Sequence, residues 1–219
     1  MPDPLIRPRL HRPWLTADFG APCRILSFAP WRPGYQMAAR VQWREVRNAD
    51  LTPELDAHSW FAGELAQAGM AADVGMLTSR DIGRHHLAEV EVDGIRAACL
   101  ATVGLGNAER IGARRHAPGP GYGTINLAVR LAVGLSDTAL LEALSLAAEA
   151  RTAAVMAAGL ALVTGIATGT GTDCIAVAAD PGDGAYAGKH TAVGEAFGAA
   201  VFAAVAAGAE DWMREQGMR

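Results

Sequence analysis

The sequence predicts one α+β domain, with three main helices packed on a mixed or largely antiparallel sheet that is built from hairpins. The clearest sign is Asp93-Gly94, the favoured two-residue hairpin turn, which separates apolar runs at residues 86–92 and 95–103. Strand pairs are interleaved with helical stretches, in place of the strict alternation that predicts a parallel sheet. Because 51% of the 219 residues are hydrophobic, the chain can bury one continuous core.

The first half of the chain is predicted to be mainly strand. Residues 23–28 form a short apolar strand, and residues 39–46 alternate apolar with polar side chains, as a half-buried strand does. Residues 51–68 have helical spacing after the start signal TPE at residues 52–54, and residues 74–77 return to strand. The predicted hairpin follows.

The second half is predicted to contain a long loop, a strand, a helix, a strand pair and a final helix. These lie at residues 104–122, 124–135, 136–158, 160–167 with 173–179, and 190–215. Ser136 is a residue type that favours a helix start. On the final helix, Gly194 and Gly198 lie four residues apart, and we expect them to let the helix approach the sheet closely.

Composition narrows the class of protein. A net charge of −4 without a long basic run argues against a nucleic-acid partner. The 3 cysteines lie far apart and form no CxxC pair, which predicts neither disulfides nor a zinc site and favours the cytoplasm. The Ala-rich run at residues 196–209 is shorter than a bilayer span, so we expect no membrane partner. The sequence is compatible with a homo-oligomer.

The N-terminal residues differ in composition from the rest of the chain. Residues 1–22 are rich in Pro and Arg and lack the apolar centre of a signal peptide. They are predicted to be an arm in front of a single domain at residues 23–219.

Two polar segments are the strongest candidates for a functional site. Residues 168–173 (TGTGTD) alternate Gly with Thr, which presents amide donors and hydroxyls and lets a ligand approach the backbone. Asp173 then leads into an apolar strand, while His190, followed by Thr191 and Glu195, opens the final helix. We therefore expect a polar loop at a strand end beside that helix, with donors, an acid and an imidazole.

A series of segments resembles the adenosylcobinamide amidohydrolases, in order, from about Cys23 to the C-terminus. The segments are LS at 26–27 with PW at 30–31 and Gly34, VGMLT at 74–78, TVGLGN at 102–107, GTIN at 123–126, EARTAA at 149–154, TGTGTD at 168–173, and AGKHT at 187–191 with GE at 194–195. No single segment is specific to this family, but the whole series, in the same order and spacing, is specific to it. Residues 32–34 (RPG) depart from the Asn-Gly-Gly type of turn expected there.

The resemblance implies hydrolysis of the amide that joins the aminopropanol arm to the corrin ring of adenosylcobinamide. The product is adenosylcobyric acid, which re-enters cobalamin synthesis as part of corrinoid salvage. The partner is then a corrinoid small molecule, and no separate cofactor or metal ligand is expected because the cobalt belongs to the substrate. The substrate-binding residues that it implies are Ser27, Thr78, Asn107, Asn126, Gly169, Thr170, Gly171 and Thr191.

Amide hydrolysis requires a nucleophile, donors for the oxyanion and an acid for the leaving amine. His190 is the first candidate for base and acid, because an imidazole titrates near working pH, and Asp173 or Glu195 is expected to orient it. Water or a loop hydroxyl such as Thr172 is the candidate nucleophile, with the amides of residues 169–172 as oxyanion donors. Each of these residues also has a structural interpretation, as part of a turn or a helix cap.

Further polar residues have two interpretations each. Ser27, Ser79 and Cys174 are nucleophile candidates at loop or strand ends, and each is explained equally well by structure. Glu149 and Arg151 form either a buried polar contact to the site or a pair on the helix surface.

Other functions are weighed against hydrolysis. A nucleotide-phosphate module is disfavoured, because Glu109 stands where the dinucleotide fingerprint needs Gly and residues 168–173 lack the ending of a P-loop. His85-His86 is a weak metal signal, since adjacent strand residues point to opposite faces. The main alternative is a non-catalytic corrinoid-binding or regulatory protein on the same scaffold.

Overall fold

The computed structural model of the protein describes residues 3–47, 50, 55–113 and 122–218. Its strands are β1 Arg7–His11, β2 Trp14–Ser27, β3 Gly34–Glu45, β4 Val74–Thr78, β5 His85–Val92, β6 Ile95–Val103, β7 Ala108–Glu109, β8 Ile125–Leu135, β9 Ala161–Leu162, β10 Gly165–Ile166, β11 Gly169–Thr170 and β12 Cys174–Pro181. Its α-helices are α1 Ala57–Gln67, α2 Asp137–Ala158 and α3 Ala192–Glu215.

One mixed sheet organises the fold. Its strands lie in the order β4-β3-β2-β12-β8-β6-β5, and β1 pairs with β2. β12 runs parallel to β8 and antiparallel to β2, while β3 and β4 are also parallel. The prediction of an α+β domain with a mixed sheet is confirmed. Because β12 is an inner strand that is buried on both faces along most of its length, its apolar run is nearly continuous.

Local signals predicted several elements correctly. The β5–β6 hairpin turns at Asp93 and Gly94, whose φ angles of 49° and 78° are those that a two-residue turn requires. The hydroxyl of Ser136 accepts a hydrogen bond from the amide of Ala139 and so begins α2, which Gly159 ends in the left-handed conformation. The predictions for this hairpin, for α2, and for β4 and β8 are confirmed.

Two hydrophobic cores lie on opposite faces of the sheet. On one face α2 packs on β12 and α3 packs on β5 and β6, with Phe197 fully buried. On the other face, side chains from β2, β3, β4, β6 and β8 share a second core that includes Trp43. α1 packs outside this second core, where Phe61 stacks on Trp14. The sheet is therefore covered by helices at two separate places.

The sheet curls around the second core. The side-chain amide of Asn126 on β8 donates to the carbonyl of Leu77 on β4 at 2.7 Å, although three strands separate β4 from β8 in the sheet. The N-terminal residues also cross the curl, since Arg96 on β6 donates to the carbonyl of Asp3 at 2.8 Å. The curl brings the end of β4 over the start of β8, and this juxtaposition creates the candidate site.

Residues 7–22 lie in the sheet, not in the arm that their composition predicted. They form β1 and the first part of β2, which also pairs with β3. Pro8 lies in the edge strand β1 and Pro13 in the turn that follows it, two places that tolerate proline. The strand predicted at residues 23–28 is thus the second part of a longer strand.

The predicted pairing of residues 160–167 with 173–179 is wrong. Residues 160–167 fold back on themselves as β9 and β10, while β12 pairs with β2 and β8. Gly165, with φ of 116°, supplies the backbone conformation for this reversal. Residues 160–167 do contain strands, but a turn inside the segment pairs these strands with each other.

Two predictions fall partly outside the described residues. The first is the helix predicted at residues 51–68, whose start signal at residues 52–54 lies outside the described residues. In the described part, α1 begins at Ala57 with Asp56 as its cap. The second is the loop predicted at residues 104–122, of which residues 114–121 lie outside the described residues. Its described part contains β7, which pairs with β11.

α3 is long and apolar enough to cross a membrane by length and composition, but half of its apolar window is buried, as in a core helix. Its close approach to the sheet is at Gly208, where an added Cβ would lie 2.6 Å from Cγ2 of Val103. Gly194 lies against the carbonyls of residues 187–188, and Gly198 has open space beside it. The predicted contact of Gly194 and Gly198 with the sheet is therefore wrong.

Candidate functional site

A pocket of about 350 Å³ lies at the edge of the sheet where β8 and β12 begin. The end of β4 forms its opposite wall, because the curl carries Leu77 and Thr78 over this edge. The described residues that line it are Pro30, Val46, Leu77, Thr78, Ser79, Asn107, Tyr122, Gly123, Thr124, Thr172 and Cys174. Every segment of the resemblance series except the last contributes a lining residue or bonds to the loop at residues 168–173.

Asp173 fixes the loop at residues 168–173. Its Oδ1 accepts from the amide of Ile125 at 3.0 Å and from the hydroxyl of Thr170. Its Oδ2 accepts from the amide of Thr170 at 3.0 Å and from the guanidinium of Arg151. The carboxylate therefore ties the loop to β8 and to α2. The loop was predicted to lie beside the helix that His190 opens, but the helix bonded to it is α2.

The Arg151–Asp173 pair is enclosed. The side chain of Arg151 is 16% exposed and that of Asp173 is 8% exposed, and burial lowers the pKa of Arg151. Gly169 fits beside the pair because it has no side chain, since an added Cβ would lie 2.6 Å from Oδ2 of Asp173. Of the two interpretations of Arg151, the buried polar contact is the correct one, whereas Glu149 pairs with Lys189 at the surface.

Thr172 is held at the pocket wall by its neighbours. Its hydroxyl donates to the carbonyl of Gly123 at 3.2 Å, and its own carbonyl accepts from the hydroxyl of Thr124 at 2.8 Å. Inside the loop, the amide of Thr170 donates to Asp173, and the amide of Thr172 donates to the hydroxyl of Thr170 at 3.4 Å. Two of the amides predicted as oxyanion donors are thus already bonded.

The facing wall is equally well defined. The hydroxyl of Thr78 accepts from the amide of Arg80 at 3.1 Å, which orients it at the end of β4. Asn126 is fully buried behind the wall, where it donates to Leu77 and accepts from Thr124 at 3.1 Å. Asn126 therefore joins the two walls and does not line the pocket.

Asn107 lies on a turn that is packed from both sides. An added Cβ on Gly106 would lie 2.3 Å from the carbonyl oxygen of Tyr122, and the amide of Ala108 donates to the carbonyl of Leu105 at 3.0 Å. Among the described residues, Oδ1 of Asn107 is buried and has no hydrogen-bond partner. The turn thus holds an unused acceptor at the pocket wall.

Several predicted site residues lie elsewhere. Ser27 is buried at the end of β2, where its hydroxyl accepts from the amide of Ala29 at 3.4 Å. Thr191 is the N-cap of α3, and its hydroxyl accepts from the amide of Gly194. Gly171 is exposed with nothing beside it.

His190 and Glu195 are exposed at the start of α3. Neither lines the pocket, and within the described ranges neither side chain makes a hydrogen bond or ion pair with Asp173. The structure therefore unites Thr78, Asn107 and Thr172, and leaves the predicted imidazole apart from them.

A family profile described as adenosylcobinamide amidohydrolase matches residues 4–217 of the 219-residue chain. The chain belongs to the adenosylcobinamide amidohydrolase family. No curated protein matches the chain. The family assignment covers nearly the whole domain, including the β1–β2 hairpin that composition had separated from it.

Cys174 and Tyr122 also line the pocket. Cys174 is 6% exposed, and burial raises the pKa of its thiol to about 12, so the thiol stays protonated. Tyr122 is 66% exposed at the mouth of the pocket. In the described part of the chain, no group of three or more His, Cys, Asp or Glu is placed to hold a metal ion.

The sequence did not predict every residue that lines the pocket. Tyr122 and Thr124 flank Gly123 in or beside a matched segment, but spacing alone does not show which side chains face a cavity. Val46 follows the end of β3 and carries no local signal. Pro30 lies in a matched segment, but that segment is far along the chain from the other lining residues. Their presence depends on the curl, which is a long-range property of the fold.

Proposed function

We propose that the protein hydrolyses the amide between the aminopropanol arm and the corrin ring of adenosylcobinamide, giving adenosylcobyric acid for cobalamin salvage. The family match supports adenosylcobinamide as the substrate. The observation that carries the site is the pocket itself, on which nearly all of the matched segments converge.

The size and polarity of the pocket suit the arm of the substrate. About 350 Å³ lies at the small end of ligand pockets and is too little for a whole corrinoid. Hydroxyls of Thr78 and Thr172 and the amide of Asn107 suit a neutral arm that carries an amide and a hydroxyl. The arm would enter the pocket while the macrocycle stays at the mouth, beside the exposed ring of Tyr122.

The reaction needs one water molecule. Its oxygen bonds to the amide carbon, the carbon–nitrogen bond breaks, and the leaving nitrogen takes up a proton to become the free amine. Polar groups that stabilise the oxyanion and align the water contribute most when they are fixed beforehand. The hydroxyl of Thr78 accepts from the amide of Arg80 and keeps its hydrogen for the oxyanion. The hydroxyl of Thr172 donates to the carbonyl of Gly123 and is therefore fixed as an acceptor for the water.

The acid–base role proposed for His190 rests on its matched segment, because the pocket contacts give it no support. His190→Ala tests this role. Loss of turnover with retained corrinoid affinity supports the acid–base role of His190. Unchanged turnover contradicts that role and means that other groups in the pocket, or water, transfer the proton. Glu195→Gln is the matched test for its neighbour, which shares the same exposed helix start.

A non-catalytic corrinoid-binding protein is a second candidate. It is favoured by the lining, in which the described side chains include no Asp, Glu, His or Lys. Without such a group, general acid–base catalysis lacks its usual residues.

One experiment separates the two functions. Purified protein is incubated with adenosylcobinamide and, separately, with the non-adenosylated form, and mass spectrometry follows adenosylcobyric acid and free aminopropanol. Both products support the hydrolase. Tight corrinoid binding without either product supports the binding protein and removes every catalytic role.

The cytoplasmic location proposed for the protein is tested separately by cell fractionation.

A further inference from the structure

The unused acceptor at Asn107 stands out among the buried polar atoms. Buried polar groups in folded proteins nearly always have a hydrogen-bond partner, so each exception calls for an explanation. Oδ1 of Asn107 is such an exception within the described residues, and Asn107 lines the pocket. Leaving an acceptor buried and unpaired destabilises the fold, and a ligand donor would remove that penalty.

The backbone of the turn that carries Asn107 is held on both sides. Gly106 lies so close to the backbone of Tyr122 that no side chain fits between them. On the other side, β7 pairs with β11, which places Ala108 opposite Thr170 of the loop that carries Thr172. Asn107, Thr78 and Thr172 line the same pocket, so one ligand arm can meet all three.

We infer that Asn107 is a positioning residue that accepts a hydrogen bond from the N–H of the scissile secondary amide. This inference rests on the proposed function and names the substrate group that Asn107 recognises. The arm offers two donors, the amide N–H and the hydroxyl. A hydroxyl can accept from the Thr78 hydroxyl and donate to the Thr172 hydroxyl, whereas an amide N–H only donates and needs an acceptor.

The bond orients the nitrogen through the reaction. The nitrogen keeps its hydrogen when water attacks the carbon, and it must then receive a second proton on its lone pair. An acceptor that holds the N–H fixes where that lone pair points. Because the same bond exists before and during the reaction, its loss raises KM more than it lowers kcat.

Asn107→Leu tests the inference with two readouts, KM and Tm, for each of which a structural role predicts a different result. We expect KM for adenosylcobinamide to rise about tenfold or more, the size expected for one buried hydrogen bond. We expect the Tm of the free protein to stay the same or rise, because the variant removes an unpaired buried acceptor. A lower Tm together with an unchanged KM would show a structural asparagine and overturn the inference.

Thr164→Val is the matched control. The hydroxyl of Thr164 is also buried without a partner in the described structure, but Thr164 does not line the pocket. We expect this variant to keep or raise Tm as Asn107→Leu does, and to leave KM unchanged. Equal effects of both variants on KM would mean that the loss of any buried polar atom perturbs the site, and would overturn the role of Asn107.

An ester analogue, in which oxygen replaces the scissile N–H, identifies the donor. Intrinsic reactivity cancels when the amide-to-ester ratio of kcat/KM is compared between wild type and Asn107→Leu. We expect the variant to lower this ratio about tenfold, since the ester has no hydrogen for Asn107 to accept. An unchanged ratio overturns the assignment to the N–H.

Failure of the proposed function gives a different result. If wild type turns over neither compound, hydrolysis is excluded, and calorimetric binding of the amide and ester forms to wild type and Asn107→Leu replaces the kinetic ratio. The amide-to-ester preference in binding affinity is then expected to be about tenfold smaller in Asn107→Leu than in wild type. If wild type binds no corrinoid, both the function and this inference are overturned.

Discussion

Both carboxylate oxygens of Asp173 are bonded within the protein, to two backbone amides, a hydroxyl and a guanidinium. In this arrangement Asp173 shapes the loop that carries Thr172. Spacing along the chain indicated an acid near the site, but it could not show that the acid is already saturated. At the scale of single residues, the fixed position of Thr172 therefore depends on a buried ion pair.

Asp173→Asn is expected to destabilise the protein by about 3–5 kcal/mol, because it leaves the guanidinium of Arg151 buried without a counter-charge. Urea unfolding gives the free energy of unfolding directly. The control is Glu149→Gln, which removes an equivalent carboxylate from a pair whose side chains are 58% and 62% exposed. That change is expected to alter stability by less than about 1 kcal/mol. Equal effects would contradict the structural role of the buried pair.

His86 makes stability depend on pH below neutrality. Burial lowers the pKa of His86 from its ordinary 6.5, against the opposing influence of Asp211, 3.8 Å away. As pH falls below 6.5, the unfolded chain therefore takes up a proton that the folded chain does not. The contribution to stability is complete above this pH and is lost as pH falls through the interval down to the folded pKa.

We expect His86→Gln to make the free energy of unfolding less dependent on pH in this interval, as measured by denaturant titrations at several pH values. Asp211 does not obscure the result. Burial alone would raise its pKa, but the hydrogen bond and charge of Arg84 lower it below 3.8, so its contribution is lost only in stronger acid. A slope below pH 6.5 identical to that of wild type would contradict the prediction.

At the scale of elements, α3 shows how closely a helix can approach a sheet through one glycine. Gly208→Ala would place a Cβ 2.6 Å from Cγ2 of Val103, which is itself buried, so neither side can move freely. We expect a loss of about 1–3 kcal/mol from overpacking. Thermal or urea unfolding measures it.

Gly198→Ala, on the same helix, is the matched control. Nothing lies within 4 Å of the added methyl group, so only the helix propensity changes. We expect a gain of about 1 kcal/mol. If both substitutions changed stability in the same direction, the close packing at Gly208 would not be the cause.

The elements also show what a sequence can and cannot predict. Asp93-Gly94 and Ser136 act on their immediate neighbours, and the hairpin and helix they indicate are present. The pairing of β12 with β2 and β8 joins distant parts of the chain, and no local pattern specifies it. The proline-rich start was misinterpreted because an edge strand and a turn tolerate the same residues as an arm.

For the candidate site too, local patterns identified residues but did not show which of them lie together. The matched segments contained Thr78, Asn107 and Thr172, but the curl of the sheet and the pairing of β7 with β11 bring them to one pocket. His190 was the first chemical candidate because of its ring, and its distance from that pocket in the fold cannot be inferred from residue type. The roles of these residues stay predictions until the variants are measured.

At the scale of the whole molecule, the cysteines report on global unfolding. Cys23, Cys99 and Cys174 are all buried, and burial raises the pKa of Cys23 to about 11 and of Cys174 to about 12. We expect no reaction with a soluble disulfide reagent at about pH 8 in the native state and reaction of all three thiols on unfolding. Labelling kinetics followed by mass spectrometry will show this. Rapid labelling of Cys174 alone would reveal reagent entry through the pocket.

The position of β12 has a consequence for synthesis on the ribosome. This inner strand is among the last parts of the sheet to be made, yet it joins β2 to β8. Until it emerges, the growing chain exposes two strand edges that in the finished protein are never free. Such edges invite pairing with other chains. A nascent chain stalled just before Cys174 should therefore be the form most dependent on chaperones, and the one that aggregates first.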